Sequence, residues 1–298
     1  MRGIRVAIRL INRLPGKSIL QRALRIFHPP KRLTQSFPYT GSVSMHLDAH
    51  RSIVLKRGGN QVFWRGLDGT GEPHSLRLWT ALCKEADVIV DIGAHIGIYS
   101  LTAAASTRAS NILAFEPLPS NRAMLLENVV ANGFSQITVR AEAVSDQEGQ
   151  EILSYDREGE AIAMLGVRGM KHSIHVGVTT LDRIRKQLRL PTLDLIKIDV
   201  EKHEYRVLLG AVETIRECTP TLLIEILDDE IGMNVQRFLG TSYQYLFIDE
   251  KGTVRRAAEL RRVDDHSTNY LCYPTKNAHN IENIVRTHSL FVDTTLTA

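Results

Sequence analysis

The sequence predicts an α/β protein built on a mostly parallel, doubly wound sheet. Three observations support this fold class. Short apolar strand patterns alternate with helical patterns over most of the chain, as in sheets whose parallel strands are joined by crossover helices. Several strand patterns are apolar throughout, which is typical of strands covered on both faces. Acidic residues follow the strand patterns, at the sheet edge where ligands bind in such folds.

The predicted sheet occupies residues 87–274. Its strand patterns are Asp87–Ile92, Asn111–Phe115, Gln136–Ala141, Leu193–Asp199, Thr221–Ile226, Tyr243–Asp249 and Thr268–Tyr273. The helical patterns are Gly97–Ala105, Ser120–Asn132, Leu181–Leu188, Tyr205–Cys218 and Asn234–Leu239. Residues 146–178 interrupt this alternation with turn signals and short β-like runs, which predict a β-rich insertion near the ligand cleft.

Smaller segments flank the sheet. Residues 41–86 contain alternating apolar positions, and we predict a small antiparallel hairpin there, followed by a helix over Pro73–Lys84. The alternating positions are Val43, Met45, Leu47, Ile53, Leu55, Val62 and Trp64. Residues 275–298 form a predicted C-terminal tail.

Composition limits the class of protein. The 298 residues, 43% of them hydrophobic, suffice for one large core. The three cysteines are far apart and form no C-x-x-C pair, so neither a disulfide framework nor a zinc knuckle is expected. We therefore expect a reducing, cytoplasmic compartment and no metal site.

The net charge of +4 conceals a basic N-terminal arm. Residues 1–47 hold nine of the 37 Lys and Arg residues and no acid, which leaves 28 basic against 33 acidic residues, a net charge of −5, in the remainder. Within residues 1–40, Arg2, Arg5, Arg9 and Arg13 share one helical face opposite apolar residues. Residues 1–27 can bind an anionic membrane surface, pack on the body or a partner, or serve as a mitochondrial presequence. Nucleic-acid binding is not expected, because no aromatic residues are interleaved for stacking.

The first strand pattern leads into a loop suited to a nucleoside. The segment "VIVDIGAHIGIYS" places Asp91 at the strand end, turns on Gly93 and opens a helix at Gly97. A dinucleotide fingerprint would need glycine where the chain has His95. We therefore expect a nucleoside without a pyrophosphate, its carboxylate favoured by the helix N-terminus.

Two further strand ends complete the predicted cofactor site. The segment "ILAFEPLPSN" places Glu116 25 residues after Asp91, where an acid can accept both ribose hydroxyls. The segment "VRAEAVSD" ends the third strand, where an adenine would lie. The three strand ends together outline S-adenosylmethionine. The predicted cofactor-binding residues are Asp91, Gly93, Ala94, His95, Gly97, Glu116, Glu142 and Ala143.

Over residues 72–274 the chain resembles the FkbM-type methyltransferase family. The matching segments are Glu72-Pro73, "DIGAHIGIYS", "FEPLPSN", "ENVVANG", "AVSDQEG", "TTLD", "IKIDVEKHE", "LLGA", "TPTLLIEI" and "NYLCYP". The resemblance implies a class I methyltransferase (Rossmann-like) fold, with seven strands of which the last is antiparallel. It also implies S-adenosylmethionine as methyl donor and O-methylation of a hydroxyl on a sugar, glycolipid or natural product.

One position departs from that family. Its members commonly read D-V-E-G after the fourth strand, where this chain has Lys202 in place of the glycine. Lysine makes a left-handed turn costly, which predicts a different local path. It also puts a cation beside the expected acceptor site.

Charged residues crowd the end of the fourth strand. Lys197 and Asp199 would share one face of a buried strand, where an isolated charge is expensive, so they either neutralise each other or open onto a cleft. An O-methyltransferase must align the acceptor oxygen and remove its proton. The predicted catalytic residues are Lys197, Asp199, Glu201 and Glu225. The alternative is a structural ion pair with acids decorating a helix start.

The sequence thus favours an S-adenosylmethionine-dependent O-methyltransferase that acts on a hydroxylated small molecule, glycan or glycolipid. Two other hypotheses stay open at this stage. Lys202 leaves room for a non-catalytic S-adenosylmethionine-binding or nucleoside-binding module of the same fold. A nucleotide-dependent oxidoreductase is disfavoured by the missing G-x-G-x-x-G.

Overall fold

The computed structural model describes residues 39–107, 111–156, 163–167, 169–288 and 290–296, and the single residues Gln21, Arg25 and Thr34. Most of the predicted basic arm therefore lies outside the described residues. Gln21 is buried, and the Arg25 guanidinium lies 5.5 Å from the centre of the Phe63 ring. These contacts favour packing of part of the arm on the body, while membrane binding by residues 1–27 stays a prediction.

The described strands number fifteen and form three sheets. In chain order they are β1 Val43–His46, β2 Ser52–Leu55, β3 Val88–Ile92, β4 Asn111–Phe115, β5 Ile137–Arg140, β6 Ala143–Val144, β7 Gly149–Tyr155, β8 Ala163–Leu165, β9 His172–Thr179, β10 Leu195–Ile198, β11 Thr221–Glu225, β12 Tyr243–Asp249, β13 Thr253–Ala257, β14 Asn269–Pro274 and β15 Leu290–Leu296.

The central sheet has the order β15-β13-β12-β14-β11-β10-β3-β4-β5. Strands β5, β4, β3, β10 and β11 are parallel, and β14 runs antiparallel to both of its neighbours. The antiparallel last strand of the predicted sheet is thereby confirmed. The predicted count of seven is wrong: nine described strands form the sheet, because β13 and β15 extend it beyond β12.

Nine described α-helices cover the sheet and its flanks. They are α1 Asn60–Arg65, α2 Pro73–Leu82, α3 Ile98–Ser106, α4 Pro119–Asn132, α5 Leu181–Gln187, α6 Glu204–Leu209, α7 Val212–Cys218, α8 Asp229–Leu239 and α9 Ala278–His288. Successive residues of β3 face opposite sides of the sheet, so Ile89 packs in one core cluster and Val90 in the other. Both faces of the parallel strands are therefore buried, as the apolar strand patterns predict.

Three predicted elements differ from the observed ones. The helix predicted over Tyr205–Cys218 is broken at Gly210, where a Cβ atom would lie 1.9 Å from the Ser145 carbonyl oxygen. The helix predicted from Asn234 begins five residues earlier, because the Asp228 side chain accepts a hydrogen bond from the Glu230 N–H and caps it.

The third difference lies ahead of the sheet. Strands β1 and β2 form the predicted antiparallel hairpin, but Val62 and Trp64 belong to α1 rather than to a strand. Val62, Phe63 and Trp64 are all buried, and Phe63 stacks on Tyr39 with ring centroids 3.7 Å apart. The apolar spacing of Val62 and Trp64 fits a strand, but it does not reveal that the residue between them is buried too. The predicted C-terminal tail is α9 and β15 over most of its length.

The predicted β-rich insertion is a second sheet of order β6-β9-β7-β8. It has its own apolar cluster, to which Leu118, Leu153 and Val176 belong. Strand β6 follows β5 after only two residues and pairs in parallel with β9. The insertion is thus held beside the carboxyl ends of β4 and β5.

Two asparagines of α4 fasten the hairpin to the sheet. The Asn132 amide accepts from the Val54 N–H and donates to the Val54 carbonyl, both at 2.7 Å. The Asn128 amide does the same with Arg57, at 2.9 and 3.2 Å, and also donates to the Ile96 carbonyl at 2.9 Å. The α4 helix therefore pairs with main-chain groups of the hairpin segment and of the loop after β3.

Asn128→Ala is expected to lower the free energy of unfolding by about 1–3 kcal/mol, because it leaves two groups of Arg57 and the Ile96 carbonyl without their partner. Urea unfolding monitored by circular dichroism measures this. Val130→Ala is the matched control on the same helix: Val130 is 79% exposed, and its change should stay within about 0.5 kcal/mol. Equal stability of the Asn128→Ala protein and the wild type would show that the Asn128 hydrogen bonds do not stabilise the fold.

Candidate active site

A cleft of about 340 Å³ opens at the carboxyl ends of β3, β4, β10 and β11, with the second sheet along one side. Every predicted site residue except Gly97 lines it. These residues are Asp91, Gly93, Ala94, His95, Glu116, Glu142, Ala143, Lys197, Asp199, Glu201 and Glu225. From the insertion, Leu153, Ala163 and Leu165 line the same cleft. Parallel strands thus bring together residues separated by more than 130 positions.

The loop after β3 is held by the strand ends on both of its sides. The N–H groups of Gly93 and Ala94 donate to the Phe115 carbonyl, at 3.0 and 2.9 Å. Gly93 has φ 85°, and a Cβ atom there would lie 1.8 Å from the Asp199 carbonyl oxygen. Glycine is therefore required at position 93 because the main chain that follows β10 lies so close to this loop.

Gly97 acts in packing rather than in lining the cleft. It precedes α3 with φ 92°, and a Cβ atom there would lie 2.3 Å from Leu125 Cδ1. His95, two residues earlier, has φ 50° although it is not a glycine. A histidine in this left-handed region indicates a loop whose path is dictated by its surroundings.

Glu116 ties the loop to the start of α4. Its carboxylate accepts the His95 N–H and the Leu118 N–H, both at 2.8 Å. Burial raises the pKa of Glu116 to about 7, although both hydrogen bonds act in the opposite direction. A carboxylate has about four acceptor positions, so two remain for a ligand.

Asp91 lies fully buried on β3 and faces the same cleft. One of its oxygens accepts from Ser100 Oγ at 2.6 Å, whereas Oδ1 has no hydrogen-bond partner among the described residues. Burial raises the pKa of Asp91. A buried acceptor without a protein partner is a position that a ligand donor would satisfy.

Lys197 lies at the floor of the cleft, buried beside Asp91 on the neighbouring strand. Its Nζ donates to Asp199 Oδ2 at 2.6 Å and lies 4.5 Å from the centre of the Tyr99 ring. Burial lowers the pKa of Lys197, but the carboxylates of Asp199, Glu72 and Asp91 outweigh this effect and raise it. The lysine is therefore charged. The sequence predicted that Lys197 and Asp199 either neutralise each other or open onto a cleft, and the structure shows both, an ion pair whose two residues line the cleft.

Glu225 at the end of β11 joins this ion pair. It follows Ile224, which pairs with Ile198 of β10, so its carboxyl group lies beside that of Asp199, and it accepts a hydrogen bond from Thr268 Oγ1 at 3.0 Å. Burial and the Asp199 charge raise the pKa of Glu225. Burial raises the pKa of Asp199, but Lys197 outweighs it and the net direction is downward. These opposite shifts favour a proton on Glu225 and a negative charge on Asp199.

The residue that site prediction missed is Glu72, which lies just before α2. Its carboxylate accepts from Tyr99 Oη at 2.9 Å and from Asn269 Nδ2 at 2.8 Å. Tyr99 also lines the cleft. The dipeptide Glu72-Pro73 is visible in the sequence as a motif, but nothing in its spacing relates it to a lysine 125 positions later.

The turn after β10 is left-handed at two consecutive residues. Glu201 has φ 54° and Lys202 has φ 75°. Glu204 Oε1 holds the turn by accepting the N–H groups of Val200 and Lys202, at 3.3 and 3.2 Å. Lys202 thus adopts the left-handed conformation that is costly for lysine, and these hydrogen bonds maintain it.

The cation of Lys202 points away from the acceptor end. Lys202 is exposed, does not line the cleft, and its Nζ lies 3.9 Å from Asp228 Oδ2. Glu201, by contrast, is half-buried and lines the cleft. Burial and the nearby Asp199 charge raise the pKa of Glu201 to about 7.

His203 completes the turn as a neutral group. Burial and Arg206 lower the pKa of His203 to about 4. Its Nε2 lies 2.8 Å from Ser145 Oγ, which also donates to Asp146. A hydroxyl has one proton, so the His203 Nε2 carries the hydrogen in this contact.

The opposite end of the cleft, past β5, has a different character. Glu142 forms an ion pair with Arg140, and Ala143 begins β6.

Within the described part of the chain, no three His, Cys, Asp or Glu side chains converge as metal ligands would. None of the described helices has the length and apolar character needed to cross a membrane.

Comparison with known proteins identifies relatives of this chain. The model of the methyltransferase FkbM domain matches residues 91–251. The hexuronic acid methyltransferase AglP of Haloferax volcanii is 30% identical over 155 residues, which cover 51% of this chain and 62% of that protein. The match therefore spans less than two thirds of that relative.

One further relative and one solved structure carry the FkbM name. The 31-O-demethyl-FK506 methyltransferase FkbM of Streptomyces tacrolimicus is 27% identical, over 60% of this chain and 80% of that one. A crystal structure of a methyltransferase FkbM from Methylobacillus flagellatus is 17% identical and covers 72% of this chain and 54% of that chain. Its TM-score of 0.41 is too low to support a functional argument.

Lys202→Gly is expected to raise the free energy of unfolding by about 1 kcal/mol, because a side chain at φ 75° is strained and glycine is not. The exposed contact with Asp228 contributes little that could be lost. Thermal or urea unfolding gives the difference. Lys202→Ala is the matched control, since it removes the same charge but keeps the Cβ atom. If both variants stabilise the protein equally, charge and not backbone strain is the cause.

Proposed function

We propose that this chain, which belongs to the FkbM family of methyltransferases, transfers the methyl group of S-adenosylmethionine to a hydroxyl oxygen of a sugar, glycolipid or natural product. The observation that carries this proposal is the acid-rich cleft across four parallel strand ends, with a charged lysine at its floor. Adenosine would lie at Glu116 and Glu142, and the acceptor at Asp199, Glu201 and Glu225.

The residues present fit that cofactor. The cleft volume of about 340 Å³ is in the range of small-ligand sites. Asp91 Oδ1 is buried without a partner among the described residues and can accept from a ligand donor. The lining acids outnumber the cations, which suits a ligand with a sulfonium and an ammonium group. When bound, the cofactor supplies a methyl group already activated for displacement.

The chain's own task is then to hold the acceptor and take its proton. An unactivated hydroxyl needs a base whose pKa lies near the working pH. Glu201 meets this condition, since its pKa is raised to about 7 and its carboxylate lines the cleft. Asp199 is the poorer base because Lys197 holds its pKa down, and we assign it to orienting the acceptor.

Lys197 serves the site by keeping Asp199 ionised and in place. Tyr99 lies against the lysine and donates to Glu72, so the ammonium sits between a ring and three carboxyl groups. Removing one partner of such a pair leaves an uncompensated buried charge. Lys197, Asp199 and Glu72 are therefore proposed as a unit that positions the acceptor end of the cleft.

The names of the relatives support a hydroxylated acceptor. One is described as a hexuronic acid methyltransferase and another as acting on an O-demethylated natural product. The non-catalytic hypothesis depended on Lys202, and the structure places its charge outside the cleft. A basic arm that docks the protein on an anionic membrane would suit a glycolipid acceptor.

Glu116→Ala is expected to weaken S-adenosylhomocysteine binding at least about tenfold, because it removes the proposed ribose acceptor and the anchor of the loop after β3. Isothermal calorimetry measures the affinity. Glu127→Ala on α4, a half-exposed acid outside the cleft, is the control and should bind as the wild type does. Unchanged affinity in Glu116→Ala would remove the ribose assignment.

Methyl transfer itself is tested with labelled S-adenosylmethionine and a panel of hydroxylated glycans, glycolipids and macrolides. With any acceptor that turns over, Glu201→Gln should lower kcat by about 10²–10⁴-fold. The wild-type rate should rise as pH increases through about 7, where Glu201 loses its proton, and the variant should lack that step. The exposed Glu230→Gln serves as control. A variant that keeps both rate and pH profile would exclude Glu201 as the base.

A further inference from the structure

The acceptor end of the cleft contains more acids than cations. Five carboxyl groups face it from different elements: Glu72 before α2, Asp91 on β3, Asp199 and Glu201 after β10, and Glu225 on β11. Among the described lining residues, Lys197 is the single lysine or arginine. His203 is neutral, and His95 lies close enough to Asp199 to lower its pKa. This end of the cleft therefore contains five acids and one lysine.

Most of these acids have fixed hydrogen-bond donors. Glu72 is held by Tyr99 and Asn269, and Asp91 by Ser100. The pair Asp199–Glu225 is different, because these two acids directly follow Ile198 and Ile224, which pair across β10 and β11, so two carboxyl groups lie side by side in the cleft. Two carboxylates cannot both be ionised in such contact, so one proton lies between them.

Neighbouring residues orient this shared proton. Asp199 Oδ2 accepts from Lys197 at 2.6 Å, and Glu225 Oε1 accepts from Thr268 at 3.0 Å. Each of the two acids thus has one carboxylate oxygen that accepts a hydrogen bond from a residue other than its partner acid. The contact between the acids needs a hydrogen, and burial together with the Asp199 charge raises the pKa of Glu225 to about 10.

The order of the strands locates the cofactor sulfur relative to this pair. Adenosine at the ends of β4 and β5 directs the rest of the cofactor along the sheet toward β3 and then β10. Neighbouring strands are about 4.8 Å apart, so the sulfur comes within one or two strand spacings of Asp199. A sulfonium there favours the ionised form of a nearby acid.

Building on the proposed function, we infer that the proton shared by Asp199 and Glu225 takes the place of the donor's positive charge, and that the sulfonium expels it to solvent on binding. S-adenosylhomocysteine carries a neutral thioether at the same place and leaves the proton where it is. The cleft thus distinguishes methyl donor from spent product by charge, through a pair of acids rather than through shape.

This inference has a quantitative consequence. Suppose that one proton leaves when the donor binds and none when the product binds. The affinity for the donor relative to the product then rises about tenfold for each unit by which the pH increases, as long as the pH stays below the pKa of Glu225. This pH dependence disappears when Glu225 is replaced by glutamine, which cannot release a proton. Glu127, a half-exposed acid on α4 outside the cleft, takes no part in this exchange.

The experiment is proton counting by isothermal calorimetry at pH 7.5. S-adenosylmethionine and S-adenosylhomocysteine are each titrated into the full chain in buffers of different ionisation enthalpy. The proteins are wild type, Glu225→Gln and the control Glu127→Gln, which changes an acid on α4 outside the cleft. Titration of the ligand's own amino group and of Glu201 is common to all three proteins, so it cancels between them.

The expected result is that wild type and Glu127→Gln release about one proton more than Glu225→Gln when the donor binds, and the same number when the product binds. Equal proton release by wild type and Glu225→Gln with the donor overturns the inference. So does an equal excess with both ligands. If neither ligand binds the wild type, the proposed function fails and this inference falls with it.

A second measurement uses wild type alone, in case Glu225→Gln does not fold. Infrared difference spectra should show loss of a protonated-carboxyl C=O band when S-adenosylmethionine is added, and no such loss with S-adenosylhomocysteine. Sinefungin, which carries an amine in place of the methylsulfonium group, should act as the donor does. A band that persists with both cationic ligands excludes the exchange.

Discussion

The buried ammonium of Lys197 is the charge around which the site is built. A lysine in the middle strand region of a covered sheet is stable only if acids surround it. Asp199, Glu72 and Asp91 supply these acids from three separate segments of the chain. Each acid in turn needs donors, which come from Ser100, Tyr99 and Asn269.

That requirement links the active site to the fold. Glu72 can reach Lys197 only if α2 begins where it does, and Glu250 fixes this by accepting the N–H groups of His74 and Ser75 at the start of that helix. The loop after β3 can carry Asp91 and His95 only if Gly93 lets the Asp199 carbonyl approach. The same contacts that satisfy the buried charges therefore set the width of the cleft.

Electrostatics then divides the cleft into two ends. At one end Glu116 and Glu142 are paired with backbone N–H groups or with arginine, which suits neutral ligand groups that share their hydrogen bonds. At the other end, burial and the charge of Asp199 raise the pKa of Glu201 and Glu225. Raised pKa values in a cleft indicate acids that exchange protons, which is what a hydroxyl acceptor requires.

The sequence by itself determined the alternating elements and the acids at successive strand ends, because each is a local pattern of apolar periodicity followed by polar residues. The antiparallel last strand was implied only by the resemblance to the FkbM-type family. It also placed Lys197 and Asp199 on one face, since side chains two apart on a strand point the same way. Only the tertiary structure decided that β13 and β15 widen the sheet, that Gly210 splits a helix against Ser145, and that Lys202 keeps a left-handed turn. The contact of Glu72 with Tyr99 and Asn269 likewise spans up to 197 positions. Such pairings depend on which segments pack together, and no period in a single sequence encodes that.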